Sequence, residues 1–220
     1  TTLYTGIKKG YFDNLSMVDL PRHGKNTRKK KKINRQKMIS GGTSIEKRNC
    51  DVLKRETFGH WEMDSVIGKA TNKKTALVLT ERKTRYEIIE LMKAHTADEV
   101  AKALNRIEKR LGSNFYSVFQ TITVDNGSEF KDFEALEKAV NRVGKRTKIY
   151  YCHTRSPQER GSNENANILV RRWLPKGTDF DKSVTREKIK NIEEWINFYP
   201  RRIFKGKCSF VLFQEELALL

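Results

Sequence analysis

Residues 58–68, FGHWEMDSVIG, predict a β-strand over positions 58–67 that carries an acid near its centre. Aromatic and β-branched residues favour a strand. An aspartate inside one is disfavoured by strand propensity and by the free-energy cost of burying a charge. Asp64 therefore needs a hydrogen-bonding partner or a metal ion, which makes it a candidate site residue.

The rest of the chain predicts strands and helices in an order typical of an α/β fold. Apolar runs indicate strands at 75–80, 86–91, 121–124 and 148–152, and helical spacing indicates helices that begin near Thr96, Phe130, Ser162 and Arg186. The first three strands can form an antiparallel meander, and the last two can add in parallel by right-handed crossovers. The sequence thus predicts a five-stranded mixed sheet flanked by helices.

Another two acids lie where this architecture exposes side chains. Asp125 closes the fourth strand, in TITVDNGSEF, and Asn126-Gly127 supplies a sharp turn after it. Glu164 lies near the start of the helix SNENANILVRRW. Ligands of such sheets gather at the carboxyl ends of parallel strands. If the first and fourth strands are neighbours, Asp64 and Asp125 face each other and the helix can lay Glu164 beside them.

Three converging carboxylates repel one another unless a cation lies between them. Hard oxygen ligands suit Mg²⁺, and a pair of ions about 3.5–4 Å apart can activate an attacking hydroxyl and stabilise a leaving oxygen of a phosphodiester. Each acid also has a plain structural alternative: an exposed strand residue for Asp64, an Asx turn for Asp125 and a favourable first-turn acid for Glu164. Their combination on a basic chain favours a catalytic site.

The charge balance predicts a polyanionic partner. The chain has 45 Lys and Arg against 27 Asp and Glu, for a net charge of +18, and nucleic acid is the first candidate. Residues 22–37 are dominated by Lys and Arg and predict an arm that lies on phosphates. The candidate DNA-binding residues are Arg28, Lys29, Lys30, Lys31 and Lys32 in the arm, and Lys83, Arg85, Arg171 and Arg172 elsewhere. Solvated surface is the alternative for each.

Cysteine usage and hydropathy indicate the compartment. Cys50, Cys152 and Cys208 are far apart and odd in number, which argues against a disulfide framework and suits a reducing cytoplasm. The sequence has no long apolar run, so a membrane partner is not predicted. We expect a cytoplasmic protein.

Five segments together resemble the bacterial insertion-sequence transposases of the family numbered thirty: FGHWEMDSVIG, LTERKTRYE, ITVDNGSEF, SPQERGSNENAN and RRWLPKGTDF. That family belongs to the DDE superfamily, with the retroviral integrases, and has a ribonuclease-H-like core. The resemblance implies a transposase catalytic domain that cleaves transposon ends and transfers strands into target DNA, as a homodimer or higher oligomer. It matches Asp64, Asp125 and Glu164 to the family's acidic triad and implies Mg²⁺ or Mn²⁺, as two ions.

The resemblance also implies a division of the chain. Residues 58–204 are expected to form the catalytic core, residues 1–57 a basic extension or linker that follows a missing helix-turn-helix region, and residues 205–220 a C-terminal tail. A hydrolysis-only nuclease and a catalytically silent DNA-binding protein of the same core remain alternatives.

Some polar residues near the predicted site have no assigned role. Glu62 is a candidate secondary acid, and His153 is a candidate phosphate contact. Glu164 is favoured over Glu159 as the third acid, because a helix fixes the direction of a ligand better than the loop expected around Glu159.

The basic arm generates a first testable prediction. Deleting residues 22–37 should flatten the plot of log DNA affinity against log salt concentration, because each neutralised phosphate contributes a slope of about −0.9 through released counterions. A matched control keeps the length and replaces every Lys and Arg of the arm with Ser, and it should flatten the plot equally. An unchanged slope would show that the arm does not contact DNA.

Overall fold

The computed structural model describes residues 2–16, 41–153 and 156–220, and the predicted basic arm at 22–37, with Arg28 and Lys29 to Lys32, lies outside the described residues. The chain divides into compact units at residues 1–35 and 36–220. In the first unit, helix α1 (Thr2–Lys8) ends in a turn in which the Tyr11 amide donates to the Gly6 carbonyl at 2.9 Å. The sheet and its helices belong to the second unit.

Within the described residues, the second unit is built on a mixed sheet of six strands. They are β1 (Thr43–Ser44), β2 (His60–Ile67), β3 (Thr75–Glu81), β4 (Glu87–Met92), β5 (Thr121–Val124) and β6 (Lys148–Tyr151). Their order is β1-β6-β5-β2-β3-β4, with an antiparallel β2-β3-β4 meander and parallel pairing from β2 through β5 and β6 to β1. The predicted mixed sheet is confirmed. Its sixth strand is β1, which is too short to carry an alternating pattern and lies in the predicted linker.

The second unit contains helices where the sequence predicts them and others in addition. They are α2 (Ala97–Leu111), α3 (Phe115–Val118), α4 (Phe133–Glu137), α5 (Gly161–Trp173), α6 (Phe180–Ser183), α7 (Arg186–Phe198) and α8 (Ser209–Leu217). Of these, α2, α4, α5 and α7 lie where the sequence predicts helices, and α3, α6 and α8 are additional. Helix α4 is shorter than expected, because the chain turns back after it and Lys138 pairs with Lys145 in an isolated antiparallel bridge.

Alternate residues of β2 face opposite helical layers. Trp61 and Met63 pack into a hydrophobic cluster that includes Leu104 of α2. Val66 packs into another cluster, which includes Val170 of α5 and residues of α7. Because side chains alternate with a period of two, Asp64 shares the face of Val66 and points to the α5 layer.

The outer edge of β4 is covered by polar side chains of α7. Asn197 accepts a hydrogen bond from the Glu87 amide and donates one to the Glu87 carbonyl, both at 2.8 Å. Glu193 accepts a hydrogen bond from the Ile89 amide at 2.5 Å. These side chains satisfy backbone groups that an edge strand otherwise leaves unpaired.

Residues 205–220, expected to be a tail, contain helix α8, which contributes an aromatic ring to the α2-side core. The Phe213 side chain is 4% exposed. Its ring centroid lies 4.0 Å from that of Tyr86, 5.3 Å from that of Phe58 and 6.1 Å from that of Trp61. The C-terminal residues therefore take part in the packing of the second unit.

This packing generates a stability prediction. Phe213→Ala should lower the free energy of unfolding by about 3–5 kcal/mol, the usual cost of removing a buried aromatic ring. Val211 of the same helix is 41% exposed, so Val211→Ala is a matched control expected to change it by less than about 0.5 kcal/mol. Equal midpoints of urea unfolding for the two variants would contradict the role given to α8.

Candidate active site

The register between β2 and β5 brings two of the predicted acids together. Glu62 lies opposite Thr123 in this parallel pair. Asp64 and Asp125 each follow two residues later, so they occupy the same row and the same face of the sheet. The row lies at the carboxyl ends of parallel strands, where the sequence predicts a site.

Each carboxylate oxygen of Asp125 has a hydrogen-bond donor. Its Oδ1 accepts a hydrogen bond from the Gly127 amide at 2.8 Å, which is the Asx turn expected of Asp-Asn-Gly. Its Oδ2 accepts one from Arg160 Nη2 at 2.9 Å. Asn126 donates from Nδ2 to the Cys152 carbonyl at 2.7 Å, so the turn is tied to the end of β6.

Asp64 is held in the same manner. Its Oδ2 accepts a hydrogen bond from Asn167 Nδ2 at 2.8 Å, across from α5. Its Oδ1 accepts one from the Ser65 amide at 2.9 Å and lies 3.4 Å from Arg160 Nη1. The carboxylates of Asp64 and Asp125 are thus oriented by neutral donors and share one guanidinium.

Arg160 is the residue that the sequence reasoning missed. Its side chain is 16% exposed and also donates to the Met63 carbonyl at 3.3 Å. Burial lowers the pKa of Arg160, but the nearby carboxylates of Asp64 and Asp125 outweigh burial and leave the pKa raised. Arg160 ends the 3-10 turn Pro157–Arg160 directly before α5, and its sequence position alone gives no signal that it contacts the two aspartates.

Glu164 does not join the two aspartates in this structure. It lies exposed in the first turn of α5, and among the described residues its side chain forms no ion pair or hydrogen bond. Over residues 2–16, 41–153 and 156–220, no group of three or more His, Cys, Asp or Glu side chains is arranged to hold a metal ion. The third member of the predicted triad stays a prediction.

Glu62, the candidate secondary acid, lies one row below the aspartates in a buried ion pair. Its Oε1 is 2.6 Å from Arg82 Nη1, and the side chains of Glu62 and Arg82 are 0% and 3% exposed. Its Oε2 accepts a hydrogen bond from the Asn163 amide of α5 at 2.9 Å. Glu62 therefore fixes the start of α5 against the sheet, and in this structure both of its oxygens are occupied.

Further polar side chains lie on this face of the β2–β5 pair, in the row of Glu62 and in the row before it. Arg48 donates to Thr123 Oγ1 at 2.6 Å, and His60 Nδ1 lies 2.8 Å from Thr121 Oγ1. Burial and the neighbouring Arg82 and Arg48 lower the pKa of His60 to about 4, so its imidazole is neutral at pH 7. His60 is held in the structure by hydrogen bonding.

Glu159 and His153 pair with each other beside the site. Glu159 lies in a 3-10 turn (Pro157–Arg160) that leads directly into α5, rather than in a free loop. Its carboxylate accepts hydrogen bonds from the His153 amide at 2.9 Å and lies 2.8 Å from His153 Nδ1. His153 Nε2 is 3.0 Å from Glu46, and the bonds to Glu159 and Glu46 raise the pKa of His153.

The predicted DNA-binding cations outside the arm differ in their surroundings. Lys83 forms an ion pair with Glu216 of α8 at 2.6 Å, and Arg85 donates to Ser162, so both have intramolecular partners. Arg171 donates to the Leu174 carbonyl at 3.3 Å. Burial lowers the pKa of Arg171, and the negative charge of Asp64 partly offsets this effect. Arg172 is exposed, with its guanidinium 5.7 Å from the Tyr199 ring centroid.

The fold of this unit is that of an integrase catalytic core. The structure resembles the catalytic core domain of BIV integrase with a TM-score of 0.53, covering 73% of this chain and 96% of that one. Sequence identity is 17%, so this likeness shows the ribonuclease-H-like fold alone.

Sequence comparison identifies the family. The chain is 33% identical over 216 residues to the probable transposase for the insertion-like sequence element IS1161 of Streptococcus salivarius, which covers 97% of this chain and 58% of that protein. It is 32% identical over 181 residues to transposase InsI for insertion sequence element IS30A of Escherichia coli K12. That match covers 82% of this chain and 44% of that protein. The chain belongs to the insertion-sequence transposases of the DDE type related to IS30, which confirms the resemblance in its segments.

The extent of these matches is partial. The chain spans about half the length of the curated relatives it matches, with 58% and 44% for these two. No family model matches the chain. In the described residues, no helix is both long enough and apolar enough to cross a bilayer.

The buried ion pair generates a prediction about folding. Glu62→Gln should lower the free energy of unfolding by about 3–5 kcal/mol, because it leaves the buried Arg82 charge uncompensated. Glu62→Met combined with Arg82→Met should recover part of that loss, since no charge then stays buried. Urea unfolding of both variants checks this. A double variant less stable than Glu62→Gln would show that the ion pair does not carry the effect.

Proposed function

We propose that this chain is the catalytic core of a transposase that cleaves DNA at transposon ends and transfers the cut strands into target DNA. The supporting observation is the meeting of Asp64 and Asp125 around one cationic group at the carboxyl ends of parallel strands. Two aspartates oriented towards a shared cation, in an integrase-type fold, are suited to phosphodiester chemistry that depends on divalent metal.

The residues present fit Mg²⁺ or Mn²⁺, and we expect two ions. One oxygen of each aspartate faces a common cation, at 3.4 Å for Asp64 and 2.9 Å for Asp125, and all the acids involved offer the hard oxygen ligands that these metals prefer. Asp64, Asp125 and Glu164 would hold the ions. When bound, such ions supply Lewis-acid activation of the attacking hydroxyl and of the leaving oxygen.

The chain's own groups prepare the site for this role. The Gly127 amide fixes one oxygen of Asp125, and the Asn167 side chain and the Ser65 amide fix the two oxygens of Asp64. Glu62 fixes the start of α5, and α5 carries Glu164 one turn after Arg160. Such fixed carboxylates need little rearrangement when substrate binds, which favours catalysis.

DNA is the partner that the charge of the chain favours. A net charge of +18 attracts phosphate backbones, and the residues at 22–37, Arg171 and Arg172 are the candidate contacts. Lys83 and Arg85 would contribute only by leaving their present partners. We expect a homodimer or higher oligomer on DNA in the cytoplasm, with residues 58–204 as the catalytic core.

One experiment separates the proposal from its competitors. The protein is incubated with a labelled transposon end and a target duplex, with and without Mg²⁺. Cut and joined products support a transposase, cut products alone indicate a hydrolytic nuclease, and bound but unchanged DNA indicates a silent DNA-binding protein.

Site variants give the corresponding prediction. Asp64→Asn, Asp125→Asn and Glu164→Gln should each lose nearly all cleavage while binding DNA as well or better, because a negative charge near phosphate is removed. Glu159→Gln is the matched control and should keep most of the cleavage. Folding of each variant is checked by circular dichroism. Loss of cleavage in Glu159→Gln with retention in Glu164→Gln would mean that the third carboxylate is misplaced.

A further inference from the structure

The aspartate pair already has a cation of its own. Arg160 Nη1 lies 3.4 Å from Asp64 Oδ1 and Arg160 Nη2 lies 2.9 Å from Asp125 Oδ2, so the guanidinium bridges the two carboxylates. At 16% exposure it is largely shielded from solvent, which strengthens its hold on both acids. A guanidinium fork matches carboxylate geometry better than an ammonium does.

The same oxygens are the ones that a metal ion would use. Asp64 Oδ2 is engaged by Asn167, and Asp125 Oδ1 is engaged by the Gly127 amide. Arg160 contacts the remaining oxygens, Asp125 Oδ2 and Asp64 Oδ1, the second of which also accepts a hydrogen bond from the Ser65 amide. A divalent cation and a guanidinium cannot share this position, because like charges at such a distance repel strongly.

A DNA phosphate can bind the Arg160 guanidinium once a metal ion has displaced it from the two aspartates. Arg160 directly precedes α5, whose amino-terminal turn also carries the exposed Glu164 and carries partial positive charge. Phosphate accepts the same paired hydrogen bonds from arginine that the carboxylates now accept. A DNA phosphate bound at the site would therefore accept the hydrogen bonds that Arg160 now donates to Asp64 and Asp125.

We propose that Arg160 is a resident counter-cation of the aspartate pair, which metal must displace and which a DNA phosphate draws away, so that metal and DNA bind cooperatively. This inference rests on the proposed function. It makes Arg160 a positioning residue that keeps the acids together in the free protein and links the two ligands. Linkage of this kind is reciprocal, so DNA should raise metal affinity by the same factor by which metal raises DNA affinity.

The test measures Mn²⁺ binding from the electron paramagnetic resonance signal of free Mn²⁺, with and without a short duplex that carries a transposon end. Without DNA, Arg160→Gln should bind Mn²⁺ more tightly than the unaltered protein, within the range of roughly 5- to 150-fold usual for coupled sites. With DNA, the affinity of the unaltered protein should rise markedly, and that of Arg160→Gln should rise less.

Two other variants separate the effect of the Arg160 bridge from the effect of removing any positive charge near the site and from the effect of misfolding. Without DNA, Arg171→Gln removes a nearby positive charge that does not bridge the aspartates, and it should change Mn²⁺ affinity less than Arg160→Gln does. Arg160→Lys keeps the charge without the fork and should fall between the unaltered protein and Arg160→Gln. If Arg160→Gln fails to fold, the Arg160→Lys result decides, and Mn²⁺ binding equal to or weaker than that of the unaltered protein overturns the inference.

Asp64→Asn shows which proposal has failed. It should weaken Mn²⁺ binding in every background. If it does not, the metal site itself is wrong and the proposed function falls. If it does, and Arg160→Gln binds Mn²⁺ no more tightly than the unaltered protein, only the role given to Arg160 is wrong.

Discussion

The parallel pairing of β2 with β5 is the constraint on which the site depends. It joins strands separated by a meander and a helix in the sequence, and its register sets Asp64 beside Asp125 and Glu62 beside Thr123. Because side chains alternate with a period of two, a slip of one residue would turn Asp64 towards the apolar core and Trp61 or Met63 towards the α5 layer. The packing of Trp61 and Met63 at 0% exposure therefore holds the acids in place from the opposite face.

The contact between the sheet and α5 is apolar in one part and polar in another. Near Val66, the sheet meets α5 and α7 through aliphatic side chains. One row below the aspartates, Glu62 and Arg82 replace that apolar contact with a buried ion pair, which is costly to desolvate and gives little net stability. The pair also positions α5, because Glu62 accepts a hydrogen bond from the Asn163 amide in its first turn, and Asn167 of the same helix then donates to Asp64.

The sequence predicts local features of the site better than long-range ones. Asp64 and Asp125 could be proposed as site residues because a strand pattern points to the first and a turn signal to the second. Glu62 was open to interpretation as a secondary acid, because its partner Arg82 lies twenty residues away and is brought near only by the β2-β3 hairpin. Arg160 was missed because an arginine before a helix is unremarkable until the two aspartates are seen around it. Helix α8 escaped notice for a similar reason, since its partners for Phe213 come from other elements.

The covered edge of β4 limits how copies of this chain can associate. A sheet whose last strand is open invites another chain to continue it, with uncontrolled aggregation as the extreme result. Here the amide of Asn197 and the carboxylate of Glu193 already occupy the backbone groups at Glu87 and Ile89. A protein expected to work in assemblies on DNA is thereby kept from joining through sheet extension at this border, and its subunits would have to meet through side-chain surfaces, which can specify a defined geometry.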